Sequence, residues 1–217
     1  MNFHAIDRAG WAREEYYQHY TRDVPCTYSV TAQLDVTNLL RGVRTAGMKL
    51  YPALIYMVAR AVNARREFRM DVVDGVLGSY DSVDPSYTVF HAADQTFSSI
   101  WTEYTPDFRA FHARYLADLA RWGDVCKLDA KPGGGRNFVN ISSVPWLSFT
   151  GFNLNLNLKS DFDYLLPIFT FGKYAEEGER THLPLAVQAH HAVADGFHTA
   201  RLISDMQAWA DAFAPEN

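Results

Sequence analysis

The sequence predicts a two-layer α/β sandwich, with helices packed on a mixed β-sheet. Three observations carry the prediction. Segments of period two and segments of helical period interleave along the chain. No domain-scale linker or repeat separates them, so residues 1–217 read as a single domain. The last third is mostly β and ends in an amphipathic helix. In order, 12–20 (AREEYYQHY) reads as a short helix, and 26–36 (CTYSVTAQLDV) as a strand because it alternates and is rich in β-branched residues. Residues 38–46 read as helical, and Pro52 opens a buried helix, ALIYMVARAVNARRE. Short strands follow at 68–73, 76–80, 86–92 and 97–104. Pro106 begins an amphipathic helix marked by Phe108, Phe111, Tyr115 and Leu116. KLDAKPGGGRN, 127–137, is the clearest loop, and its glycines lack the GK[ST] of a phosphate loop. Strands are expected at 138–143, 151–158, 166–174 and 183–192. A final helix, 197–213, places Phe197, Ala200, Ile203, Met206, Ala210 and Phe213 on one face.

Composition narrows the function. The chain is 48% hydrophobic and 21% charged, which excludes disorder, and a chain this long buries roughly 70% of its unfolded surface without staples. Twenty basic against 25 acidic residues argue against nucleic acid as a partner. No apolar run reaches the ~18 residues of a membrane helix. The first residues lack an apolar signal core, so export is not expected. Cys26 and Cys126 form no CxxC pair, which excludes a cysteine zinc site and fits a cytoplasmic protein with reduced thiols. Aromatic side chains make up 14% of the residues, enough to wall an aromatic ligand as well as fill a core.

The densest chemistry is QAHHAVADGFH, 188–198, where an apolar strand meets an Asp-Gly turn and a helix. Side chains alternate along a strand, so His190 and His191 face opposite ways and only one points into a given cleft. Three readings compete. Asp195 could be a helix N-cap among core histidines. His191, Asp195 and His198 could bind a metal. One histidine could be a general base, held in one tautomer by a partner.

QAHHAVADGFH resembles the signature of the chloramphenicol acetyltransferases, within the wider HHxxxDG acyl-CoA-dependent acyltransferases. Trp11-Ala12-Arg13, Lys49-Leu50-Tyr51-Pro52, Phe68-Arg69-Met70, Asn140-Ile141-Ser142, Pro145-Trp146 and Phe171-Gly172-Lys173-Tyr174 resemble that family in its order, over nearly the whole chain. The resemblance implies transfer of acetyl from acetyl-CoA, a co-substrate with no permanently bound cofactor or metal, to the 3-hydroxyl of chloramphenicol. It makes His191 the general base, with its second ring nitrogen held by its own backbone carbonyl. It pairs Asp195 with Arg13, makes Ser142 the oxyanion donor, and has Thr170 assist through water. It sets Lys49, Tyr51, Arg69, Lys173 and Tyr174 along the coenzyme A channel, and Tyr20, Phe97, Asn140, Phe152 and Leu154 in the acceptor pocket. It further implies a homotrimer, with His191 from one subunit facing a pocket, Ser142 included, from the next.

The chain departs from the family's pattern at His19, Val24 and Ala194, which bears on acceptor fit. The rival expectations are the same transfer to a different alcohol, a non-catalytic protein that binds an aromatic ligand, and a metallohydrolase.

Overall fold

The computed structural model describes residues 2–156 and 164–214. Two sheets organise them. The larger has strand order β2-β10-β8-β7-β5-β6, built from β2 (Thr27–Asp35), β10 (Arg180–His190), β8 (Ile168–Phe171), β7 (Phe138–Ser143), β5 (Asp84–His91) and β6 (Thr96–Trp101), with β9 (Ala175–Glu177) paired to β10. The β5–β7 and β7–β8 pairs are parallel and the others antiparallel, so the sheet is mixed as expected. A small antiparallel sheet joins β1 (Phe3–Ala5), β4 (Val76–Tyr80) and β3 (Met70–Val73).

The helices α2 (Thr37–Thr45), α3 (Leu50–Asn63), α4 (Phe108–Trp122) and α5 (Gly196–Asp211) pack on one face of the large sheet. That face buries Val187, Phe169, Ile141, Tyr87 and Ile100 against Leu39, Ile55, Phe111 and Leu202. Alternation sends the intervening residues to the other face, which is polar: Ser29 and Thr31, Gln188, Thr170, Asn140 and Ser142, Ser86 and Thr88, and Ser99. A second cluster joins Ile6, Tyr17, Met70, Leu77, Leu165, Ala192 and Val193, and so clamps the turn after β10 against α1 (Glu14–Gln18) and the small sheet.

Several boundaries differ from the sequence expectation. Residues 151–156 form no strand, and 157–158 lie outside the described residues. The reason is local: the Asn153 side chain accepts from the Asn155 backbone at 3.2 Å, and Asn155 takes a left-handed φ of 46°, so asparagine turn chemistry overrides the alternation of GFNLNLNL. Residues 66–69 wind into a 3₁₀ turn before β3, and the Arg69 guanidinium at its end donates to the Tyr80 and Asp81 carbonyls. The first helix stops at Gln18 and continues as a π-helical turn, His19–Asp23. Helix α3 begins two residues before Pro52, which sits in its first turn where no backbone donor is needed.

Candidate active site

His191 stands in the turn immediately after β10. Its backbone is fixed at both ends: its N–H donates to the Cys26 carbonyl at 2.9 Å, and its carbonyl accepts from Arg13 Nη2 at 3.2 Å. Its ring stacks on Tyr20 (centroids 4.1 Å apart, planes 3° apart) and meets the edge of Tyr28 at 5.2 Å. The expected bond from Nδ1 to its own carbonyl is not formed. Among the described residues Nδ1 is buried without a partner, and that carbonyl is taken by Arg13.

His190 points the other way and is only 3% exposed. Burial pushes its imidazole down to about 4, with nearby His191 adding to the effect. Its Nδ1 accepts from the Ala192 backbone at 3.2 Å, which the neutral ring can do. The two histidines thus divide as alternation requires, one sealed in the core and one at a partly open position.

Asp195 is both N-cap and ion-pair partner. One oxygen accepts from Arg13 Nη1 at 2.9 Å. The other meets His198 Nδ1 at 2.7 Å and the Phe197 backbone N–H at 3.1 Å. Burial acts to raise its pKa, but the bonds from Arg13 and His198 prevail and hold it near 2. The capping reading and the Arg13 pairing therefore coexist. Among the described residues no three His, Cys, Asp or Glu side chains gather as a metal-holding group, and Asp195 is engaged by Arg13 and His198.

Ser142 and Thr170 face each other across the β7–β8 register, with Oγ to Oγ1 at 2.9 Å. Ser142 and Asn140 line a cavity of about 540 Å³ together with Phe97, Leu154, Phe90 and Trp146. Asn140 also donates to Tyr164. Phe152 and Leu154 lie over Thr170 and Gln188, and the Phe152 N–H donates to Thr31. Tyr51, Lys173 and Tyr174 line a second cavity, of about 600 Å³, on the helical side. Thr88, Phe90, Ser143 and Trp146 wall both cavities. Lys49 is exposed at the start of α3, one residue before Leu50, which lines the second cavity. Arg69 is committed to the Tyr80 and Asp81 carbonyls and lines neither.

One chain does not bring His191 to Ser142. Ser142 lies opposite Thr170, and Thr170 opposite Ala186, whereas His191 is five residues beyond Ala186. At ~3.3 Å per residue and ~4.8 Å per strand, the two sit roughly 19 Å apart.

Sequence reasoning did not single out Tyr28 or Thr199, which meet beside the His191 ring. Nor did it set Phe90 and Trp146 on the wall between the cavities. Their signal was the alternation of β5 and the apolar run after Ser143, but neither marks which face becomes a cavity.

Comparison with known proteins matches residues 1–207 to the family described as chloramphenicol acetyltransferase. A chloramphenicol acetyltransferase of Clostridium perfringens is 48% identical over 208 residues, covering 95% of this chain and 98% of the relative. One from Clostridium butyricum is 45% identical over 214 residues, covering 98% and 97%. A solved chloramphenicol acetyltransferase superposes with a TM-score of 0.82 at 22% identity, covering 96% of this chain and all of that one. An Azotobacter vinelandii dihydrolipoamide acetyltransferase shares the fold at a TM-score of 0.64 and 19% identity, covering 86% and 82%. With the family model spanning nearly the whole chain and relatives this similar along their full length, this protein belongs to the chloramphenicol acetyltransferase family.

Proposed function

We propose that His191 is the general base and Ser142 the oxyanion donor of an acetyl transfer from acetyl-CoA to chloramphenicol. The chain is an acyltransferase of the chloramphenicol acetyltransferase family, and the reaction acetylates the drug's 3-hydroxyl, which inactivates it. The carrying observation is the placement of His191, its backbone fixed by Cys26 and Arg13 and its ring partly open beside Tyr20. A neutral alcohol is a weak nucleophile, so removal of its proton as it attacks the thioester contributes roughly 10² to 10⁴ in rate. The attacked carbonyl becomes an oxyanion, for which the Ser142 hydroxyl is the donor, backed by Thr170. Transfer is direct, because neither cysteine belongs to the motif.

The acceptor fits the cavity of Phe97, Asn140, Ser142 and Leu154, whose aromatic walls and few polar groups suit a nitrophenyl ring with a polar tail. Acetyl-CoA fits the cavity of Tyr51, Lys173 and Tyr174, where a lysine offsets phosphate charge. The ~19 Å between His191 and Ser142 within a chain supports assembly of each site from two copies, as in a homotrimer. One core cluster running from Leu34 to Phe213 supports a single acetyltransferase domain over residues 1–217. No helix among the described residues is long and apolar enough to cross a membrane. Two free cysteines support a cytoplasmic location.

The test is coenzyme A thiol release with chloramphenicol, measured for wild type and His191→Ala. We expect the variant to lose at least about 10²-fold in kcat. Normal turnover by the variant would remove His191 from the chemistry. Turnover on another alcohol, with none on chloramphenicol, would reassign the acceptor.

A further inference from the structure

The general base proposed above needs its bare nitrogen aimed at one hydroxyl, yet no hydrogen bond among the described residues sets the ring's rotation. The bonds from Arg13 and to Cys26 hold only the backbone of His191, and Nδ1 is buried without a partner. The ring is oriented by its neighbours. Tyr20 covers one face from the π-helical turn, and the Tyr28 ring lies 5.2 Å away, tilted 62° to the imidazole plane.

Tyr28 is itself pinned. Its phenol oxygen lies 2.6 Å from Thr199 Oγ1, and Thr199 is fully buried at 0% exposure in the first turn of α5. Valine would fill the same volume, so the hydroxyl at 199 has its use in this contact, because a buried hydroxyl needs a partner and the half-buried Tyr28 phenol supplies it. Burial pushes the Tyr28 phenol up, so it keeps its proton and remains a donor. Thr199 is in turn tied to the base's other support: its N–H donates to the carbonyl of Asp195, the residue that holds Arg13.

We propose that Tyr28 and Thr199 form a positioning pair that fixes the plane of the His191 imidazole. Neither is a catalytic residue, since both act through the ring. The inference rests on the reading of His191 as the base. Small displacements of a reacting group carry large rate penalties, so loosening the edge contact lowers kcat and leaves ground-state binding of both substrates intact.

The experiment compares Tyr28→Phe, Thr199→Val, the pair together, and Thr199→Ser, which keeps the hydroxyl. We expect Tyr28→Phe and Thr199→Val each to lower kcat about ten-fold, with KM for chloramphenicol and acetyl-CoA within about two-fold of wild type. The double variant loses no more than either single one, because the two share one contact. Thr199→Ser restores kcat. The His191 imidazole resonances, assigned by their disappearance in His191→Ala, are one sharp set in wild type and broaden in Thr199→Val. The proposal is overturned if Thr199→Val loses only thermal stability, if KM alone rises, or if Thr199→Ser is no better than Thr199→Val. Failure of the underlying reading is separate: His191→Ala would then retain turnover, while the resonances would still decide whether the pair holds the ring.

Discussion

A hydroxyl can donate only one proton, which gives the contact between Ser142 and Thr170 a direction. If Thr170 donates across the 2.9 Å gap, the Ser142 proton has only the long 3.5 Å contact to the Phe169 carbonyl to give up when it turns to the developing oxyanion. Ser142→Ala is then expected to lower kcat by roughly 10² to 10³ with little change in KM, and Thr170→Val to lower it by about ten-fold, both by steady-state kinetics. His190 supports a different expectation. Its neutral ring is buried, with a folded value near 4 against an ordinary 6.5. The unfolded chain therefore takes up a proton first. Stability is full above pH 6.5 and falls as pH drops toward 4, by on the order of 3 kcal/mol. Urea unfolding at stepped pH should show this slope in wild type and a flatter one in His190→Gln. At this scale the pairing of Asp195 with Arg13, implied by the resemblance of the motif, has its counterpart in a 2.9 Å contact. The sequence was not legible at Tyr28 and Thr199, whose partnership depends on how α5 lies over β2, a tertiary fact that neither local pattern encodes.

Helix α5 begins on a carboxylate that also anchors α1's neighbourhood through Arg13, so one residue ties two elements to the turn that carries the base. Because Asp195 is held near 2, its contribution is complete above about pH 3.8 and is lost as pH falls through 2. Arg13→Leu should move acid unfolding to higher pH, as read by circular dichroism, because Asp195 then protonates more readily. The small sheet makes a second element-level prediction. A side chain at Gly78 would lie 2.5 Å from the His4 carbonyl and 2.4 Å from the Phe3 ring, so β1 could not stay in register. Gly78→Ala is expected to cost about 1–3 kcal/mol, measured by denaturant unfolding. The principal helices and central strands were readable from periodicity. The three-residue strands β1 and β9 were not, since three residues hold too little alternation to register. The stretch 151–156 shows the opposite error, where real alternation was overruled by the Asn153 side chain accepting from the Asn155 backbone.

At the scale of the whole molecule, the polar sheet face and the distance from His191 to Ser142 lead to a complementation test. His191→Ala chains and Ser142→Ala chains, each strongly impaired alone, should recover activity when refolded together, because mixed assemblies can pair an intact histidine with an intact serine. Recovery no greater than that of the separate proteins would place each site within one chain. The fold class was legible because helices and strands interleave. The two cavities were not, because their walls come from strands and loops distant in sequence. Those walls have a consequence for how such an enzyme can be redesigned. Thr88, Phe90, Ser143 and Trp146 form a partition with a chamber on either side. On the chamber assignment proposed above, enlarging one chamber at any of these four positions remodels the other, so preference for the drug and preference for the acyl carrier are expected to drift together there. Phe97 and Leu154 border one chamber, Tyr115 and Leu119 the other, and at those positions the two preferences can be bred apart.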